Sequence, residues 1–97
     1  HLVYTRRAIA DIQRCRRFLS AKSPAAALRA AKVIDLSINA LTVTPHIGRP
    51  LPDNDEIREL VVPFGDAGYV VLYRHLPMQD AVLVVSIRHQ KEADYQA

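Results

Sequence analysis

The first half of the chain carries apolar residues at the three- and four-residue steps of an amphipathic helix. A short β-prone run, "LVY", comes first, and Thr5 then offers a helix N-cap, because its hydroxyl can accept a hydrogen bond from an unpaired amide. This pattern predicts a short strand followed by a helix from Arg6 to about Ala21. The apolar face of that helix consists of Ala8, Ile12, Cys15 and Leu19. Asp11 and its charged neighbours lie on another face of the helix, which we expect to be exposed to solvent.

A second helix is predicted from Pro24 to about Val43. Ser23 provides the cap, and Pro24 suits the first helical position, where its missing N–H leaves no helical hydrogen bond unmade. Pro45 ends the pattern. Two helices joined by so short a connection predict an antiparallel hairpin. The apolar positions of the second helix are Leu28, Ala31, Ile34, Ile38 and Leu41.

The second half of the chain changes to strand patterns separated by turns. A loop rich in proline, from Thr44 to Glu56, precedes the runs "IRELVVP", "YVVLYRHL" and "AVLVVSIRH". The last run is apolar almost throughout, which is typical of a central strand. The order of elements is therefore a short N-terminal strand, two helices and a three-stranded antiparallel meander. We expect one domain over residues 1–97, of the α+β class.

Composition narrows the chemistry without defining it. The net charge is +3 and the pI about 9.4, a mild basic bias that permits an anionic partner. One cysteine, Cys15, excludes an internal disulfide, and its place on an apolar helix face predicts a small buried side chain. The histidines have no metal-ligand spacing and the glycines form no phosphate loop, so we expect no metal and no cofactor. No apolar run approaches a membrane span, and a cytoplasmic protein is the simplest interpretation.

Four arginines fall in the region of the predicted sheet and define a candidate charged face. Arg49 belongs to the loop, and the other three belong to one strand each. If the three strand faces coincide, their guanidinium groups gather on the open side of the sheet; otherwise each is an ordinary edge charge. Alternation groups Arg58 with Leu60 and Val62, Arg74 with Val70 and Leu72, and Arg88 with Val84 and Ser86.

The segment "SIRHQKEADY" after the last strand raises the possibility of metal-free RNA cleavage. That reaction needs a base for the 2′-hydroxyl, cations for the phosphate and an acid for the leaving oxygen. His89 suits the base, since its reference pKa lies near neutrality. Arg74 and Arg88 suit the phosphate, and Lys91 or Tyr95 the leaving group. Spacing alone does not bring these side chains together. Two other interpretations of the segment therefore remain: a charged end of the strand, or part of a binding surface.

Several phrases and their order resemble the RelE/ParE superfamily of bacterial type II toxins. They are "YTRRAIADI", "IGRP", "IRELVVP", "GYVVLYR" and "VVSIRHQKEADY", and they cover nearly the whole chain. The resemblance implies a helical hairpin packed on a curved, mainly antiparallel sheet of three to four strands. It also implies a cognate antitoxin protein as partner.

The superfamily has two branches, and the resemblance is greater to the ParE branch. The RelE branch implies a ribosome-dependent mRNA endonuclease, in which an arginine commonly follows the "GY" of the second meander strand. Val70 occupies that position here and can neither hold a phosphate nor donate a proton. The ParE branch implies a protein that inhibits DNA gyrase by binding it. We therefore expect gyrase as target, with the ribosome and its mRNA as the alternative, and no direct DNA binding by the toxin alone.

These readings assign residues to two surfaces. The target surface comprises Arg49, Arg58, Arg74, Arg88, His89 and Lys91. The alternative, catalytic interpretation uses Arg74, Arg88, His89 and Tyr95. A chain this short cannot bury all its apolar faces, so an apolar groove should remain for the antitoxin. We expect that groove to include Ile12, Leu19, Ile34 and Ile38.

Overall fold

The computed structural model describes residues 1–92 and has the expected α+β architecture. Strand β1 (Leu2–Tyr4) leads into helices α1 (Arg6–Lys22) and α2 (Pro24–Ala40). The remaining strands are β2 (Arg49–Pro50), β3 (Arg58–Phe64), β4 (Ala67–Leu76) and β5 (Ala81–His89). Tyr95 lies outside the described residues. Within residues 1–92, no helix has the length and apolar character needed to cross a membrane.

One five-stranded sheet has the order β1-β5-β4-β3-β2. Strand β1 runs parallel to β5, and the other neighbouring pairs are antiparallel. The sheet has more strands than the three to four expected, because the loop contributes the two-residue strand β2 and β1 joins at the opposite edge. The apolar run "AVLVVSIRH" forms β5 between β1 and β4, as its composition predicts.

The predicted helix starts are confirmed, and the end of α2 comes earlier than predicted. The Thr5 hydroxyl accepts a hydrogen bond from the Ala8 amide at 2.9 Å, and Ser23 Oγ accepts one from the Ala26 amide at 3.2 Å. Helix α2 ends at Ala40 rather than near Val43. The amides of Leu41, Thr42 and Val43 donate to carbonyls three residues back, so the chain leaves the α-helical pattern before the proline.

The core lies between the helical hairpin and one face of the sheet. Along α1 the buried positions include Ala8 and Cys15, as the spacing predicts. Leu28, expected on the apolar face of α2, is instead 74% exposed. The sheet contributes Val62, Tyr69, Val71, Val84 and Ile87 to the same cluster.

Tyr73 joins the loop after α2 to the sheet. Its side chain is fully buried, and its hydroxyl accepts a hydrogen bond from the Gly48 amide at 2.8 Å. A Cβ atom at position 48 would lie 2.7 Å from the Tyr73 ring, so only glycine fits there. Arg58 Nη1 also donates to the Gly48 carbonyl, at 2.7 Å. The base of the loop is therefore fixed from the helix-facing side of the sheet.

Candidate functional site

The three cationic strand positions do not share one face. Arg58 is paired with Tyr73 in the register of β3 and β4, so its side chain belongs to the helix-facing side of the sheet. Its guanidinium donates to the carbonyls of Gly48 and His46. The condition for a three-arginine cluster on the open face is therefore not met, because Arg58 holds the loop from the other side.

Arg88 lies on the open face, but a bulge changes its neighbours. Leu72 pairs with Ser86 whereas Tyr73 pairs with Val84, so the two strands shift register between those pairs. Val84 belongs to the core. Ser86 and Arg88 follow the shift and face away from the helices. Grouping Arg88 with Val84 was therefore wrong, and its grouping with Ser86 was right.

Arg74 and Arg88 occupy the same face at some distance from each other. Arg88 pairs with Val70, which precedes Arg74 by four residues on β4. At about 3.3 Å per residue, this puts the two backbone positions about 13 Å apart along the strand. Arg74 Nη2 lies 3.3 Å from Glu56 Oε1. The two arginines thus start from well-separated backbone positions, and the Arg74 guanidinium pairs with Glu56.

His89 points to the opposite side of the sheet from Arg88. It pairs with Tyr69, a core residue, and their rings meet edge to face with centroids 5.2 Å apart. The ring of Phe18 lies on the helix side, 6.4 Å away between centroids. His89 Nδ1 accepts a hydrogen bond from the Lys91 amide at 3.1 Å. The imidazole is therefore separated by the sheet from the arginines of the open face.

The two remaining target candidates form surface ion pairs. Arg49 Nη2 lies 2.7 Å from Glu59 Oε1, and Lys91 Nζ lies 3.1 Å from Asp66 Oδ2. The Lys91 ammonium lowers the pKa of the exposed Asp66 carboxyl by a hydrogen bond and by its charge. Exposed pairs of this kind contribute little to stability, and an approaching partner can replace them.

Sequence reasoning missed a polar network that joins α1 to the end of β5. Asp11 was expected in solvent but is 1% exposed. Its Oδ2 accepts a hydrogen bond from the Ile87 amide at 3.0 Å, and its Oδ1 accepts one from Arg14 Nη1 at 2.6 Å. Arg14 Nη2 donates to the Ile87 carbonyl at 3.2 Å and lies 3.1 Å from Glu92 Oε2. Burial would lower the pKa of Arg14, but its bonds to both carboxylates raise it.

This network completes the edge of β5 where β1 stops. Strand β1 pairs only as far as Tyr4 with Val84. Beyond it, the Thr5 hydroxyl donates to the Val85 carbonyl at 2.7 Å, and Asp11 and Arg14 take both backbone groups of Ile87. Side chains of α1 thus replace a neighbouring strand, which satisfies backbone groups that would otherwise be buried without partners. The only signal in the sequence was an acid within an otherwise basic helix.

Cys15 has the role of a buried hydrophobic residue. It is 7% exposed, and its Sγ lies 3.8 Å from Glu92 Oε1. Burial, with the negative charge of Glu92, raises the pKa of the thiol to about 11. A thiol with so high a pKa is a weak nucleophile at neutral pH. Among residues 1–92, no three potential ligand side chains come together as a metal site.

An apolar cleft separates the two helices above the sheet. It has a volume of about 130 Å³. All four residues expected to contact the antitoxin line it, namely Ile12, Leu19, Ile34 and Ile38. Small residues of α2 form its floor on that side, and Arg16 and Asp35 stand among the polar residues that line it. The grouping of the four residues is a geometric fact, while their contact with an antitoxin stays a prediction.

Comparison with known proteins identifies the family. The model of a family described as the ParE toxin of the type II toxin–antitoxin system parDE matches residues 2–94. This chain belongs to that toxin family. The resemblance noted in the sequence to the RelE/ParE superfamily is thereby confirmed, and so is the class of function, a type II toxin.

The relatives carry RelE names. The toxin RelE3 of Caulobacter vibrioides is 41% identical over 86 residues, which are 89% of this chain and 89% of that protein. The toxin RelE1 of the same bacterium is 34% identical over 70 residues, 72% of this chain and 73% of the relative. The crystal structure of the intact E. coli RelBE toxin–antitoxin complex matches with a TM-score of 0.58 and 15% identity, covering 94% of this chain and 96% of that chain. At that identity the last match concerns the fold alone.

Proposed function

We propose that this ParE-family toxin acts by binding its target, and that the target is DNA gyrase. The observation that carries the proposal is the pairing of Arg88 with Val70 on the open face. In the RelE branch of the superfamily, an arginine commonly occupies the position that Val70 holds in this chain. Here that position holds an apolar side chain that is 5% exposed. The cation that would complete a phosphate site beside Arg88 is therefore replaced by a residue that only packs.

The position of His89 also favours binding over cleavage. A general base must come within hydrogen-bond reach of the proton it removes, and phosphate-holding cations must lie beside it. His89 belongs to the helix side of the sheet, whereas Arg74 and Arg88 belong to the open side. A binding surface has no such requirement, since Arg74 and Arg88 can each contact a different part of a large protein.

Supercoiling and mRNA stability together test this proposal. The purified toxin should inhibit supercoiling by gyrase, and its expression should produce DNA-damage signalling and filamentous cells. Messenger RNA should decay at its usual rate during the first minutes of expression. Unchanged supercoiling at large toxin excess, with rapid loss of mRNA, would indicate that the target is the ribosome rather than gyrase.

The alternative function is a RelE-like, ribosome-dependent mRNA endonuclease. Its support is that the two relatives described above are both called RelE toxins. In this case catalysis would use Arg74, Arg88, His89 and Tyr95, and binding to the ribosome would have to bring these side chains together. Cleavage of ribosome-bound mRNA by purified toxin, abolished by Arg88→Ala, is the result that this alternative requires.

We further propose that a cognate antitoxin neutralises the toxin by inserting apolar side chains into the cleft between α1 and α2. The cleft is open and apolar, and Ile34 of α2 lines it. Leu36 lies two positions further along the same helix but is 66% exposed and outside the cleft. These two residues supply a matched pair of variants on one helix.

The affinity for the antitoxin encoded beside the toxin gene gives the measurement. Ile34→Ala should raise Kd by roughly tenfold to a hundredfold, because it removes a buried anchor of about 1–3 kcal/mol. Leu36→Ala should change Kd by less than about threefold. Equal effects from both substitutions would place the antitoxin elsewhere, and melting curves should show that both variants are folded.

A further inference from the structure

The charge of this chain is divided unequally between the helices and the sheet. Residues 1–43 contain eight of the thirteen Lys and Arg residues and only two of the ten Asp and Glu residues. The remainder contains five basic and eight acidic residues. The excess of positive charge therefore comes from the helical hairpin, although the sheet was the surface on which a cationic face was expected.

The cations on the two sides also differ in their partners. On the sheet side, Arg49, Arg74 and Lys91 form ion pairs, and Arg58 donates to carbonyls of the loop. On the helical side, no ion pair within residues 1–92 neutralises a further set of exposed cations. That set consists of Arg6, Arg16, Arg17, Arg29 and Lys32. Among residues 1–92, a partner can bind these solvated cations of the hairpin without first displacing a carboxylate.

The outer side of α1 gathers the densest part of this charge. Arg6, Gln13, Arg17 and Ser20 follow one another at steps of seven, four and three residues, so they share one face of the helix. Gln13, Arg17 and Ser20 line a shallow depression together with Arg16. We call these five residues the α1 basic surface. It extends over about 21 Å, from a rise of about 1.5 Å per residue.

We propose that the α1 basic surface binds the phosphodiester backbone of nucleic acids without regard to sequence. Arginine, glutamine and serine are among the side chains that contact phosphate and sugar in protein–nucleic acid complexes. Arginine in particular donates two parallel hydrogen bonds to a phosphate. This inference revises the expectation that the toxin alone does not bind DNA, and it is independent of whether gyrase or the ribosome is the target.

A nucleic acid fits this surface better than an acidic protein does. The cores of protein–protein interfaces are depleted in charged residues and enriched in aromatic ones. The α1 basic surface instead consists of Arg, Gln and Ser, and the apolar cleft suited to a protein partner opens on the other side of Arg16. A polyanion with about one charge per 1.7 Å of duplex axis matches an extended row of cations.

The salt dependence of binding tests the proposal on the full chain. Fluorescence anisotropy should be measured with labelled duplex DNA, duplex RNA and single-stranded RNA of random sequence, across roughly 50–200 mM salt. With one phosphate contact from each of the three arginines of this surface, log K against log salt should fall on a duplex with a slope of about −2.7. The three probes show whether DNA, RNA or both supply the backbone.

Two double variants with equal loss of charge locate the surface. Arg6→Gln combined with Arg17→Gln should make the duplex slope less negative by about 1.8, because two contacts are lost. Arg29→Gln combined with Lys32→Gln removes the same charge from α2, outside the α1 basic surface, and should leave the slope nearly unchanged. Circular dichroism should show that both variants are folded.

Three results would overturn the proposal. The first is a slope near zero with all three nucleic acids. The second is an equal change of slope in the two double variants, since that would make net charge, rather than α1, the cause. The third is binding of poly-L-glutamate with no binding of any nucleic acid, which would assign the surface to an acidic protein.

Discussion

Replacing Asp11 by alanine tests whether side chains of α1 hold the end of β5. Alanine leaves the buried Ile87 amide without its acceptor, which costs about 1–3 kcal/mol. It also removes the charge-assisted bond from Arg14, worth about 1.5–3 kcal/mol when shielded from water. Because the Arg14 side chain is 38% exposed, solvent screening places the contribution of this bond near the lower end of that range. We expect a total loss of about 3 kcal/mol, from a stability of about 5–15 kcal/mol for a chain of this length.

Urea denaturation followed by far-UV circular dichroism provides the measurement. With m near 1.5 kcal/mol/M, a loss of about 3 kcal/mol moves the midpoint down by about 2 M. Asp35→Ala is the matched control, because Asp35 is an exposed acid on α2 and should cost less than about 0.5 kcal/mol. A loss below about 1 kcal/mol for Asp11→Ala, or a loss equal to that of Asp35→Ala, would refute the role of the network.

Two further predictions concern the end of β5 and the buried thiol. His89→Ala should reduce toxicity only slightly, because the lost contact is worth about 0.5–1.5 kcal/mol, whereas Arg88→Ala should reduce it considerably more, because a charge-assisted contact is worth about 1.5–3 kcal/mol. The Kd for gyrase is the measurement. Abolished toxicity in a folded His89→Ala protein with unchanged target affinity would instead indicate catalysis. The folded pKa of Cys15 is raised to about 11 from 9.0, so the stability that this group contributes is present below about pH 9 and is lost as the pH rises through about 11. Denaturation midpoints of the wild type should therefore fall more steeply between those values than midpoints of Cys15→Ala, and parallel curves would contradict the shift.

The parts of the fold that depend on local pattern were predictable from the sequence. The helix caps at Thr5 and Ser23 and the apolar stripe of α1 depend on residues within one or two turns of each other. The same is true of the four apolar residues that line the cleft, whose helical spacing already put them on inward faces. The early end of α2 was missed because the backbone amides after Ala40 change to acceptors three residues back before the proline is reached, which no apolar spacing shows.

The arrangement of the candidate site depended on contacts that no local pattern contains. Strand alternation was followed through Val84 to Arg88, and one bulge reversed the assignment of Val84. Asp11 was placed in solvent because its neighbours in α1 are charged. Its actual partner is a backbone amide 76 positions away, which is exposed to it only because β1 is three residues long. The need for a side-chain partner at this amide can be recognised only when the length of β1 and the path of α1 across the sheet are known.

The mild basic bias of the whole chain concealed two opposite halves. A net charge of +3 gives little reason to expect a polyanion partner, and strand alternation points to the arginines of the sheet instead. In the folded chain, Glu59 pairs with Arg49 and Glu56 with Arg74. Among residues 1–92, by contrast, no ion pair neutralises most of the cations of the hairpin. Asp11 is internal to the network, which leaves Asp35 as the hairpin's exposed acid. We therefore expect long-range attraction of an anionic partner to orient the toxin with its helical hairpin toward that partner.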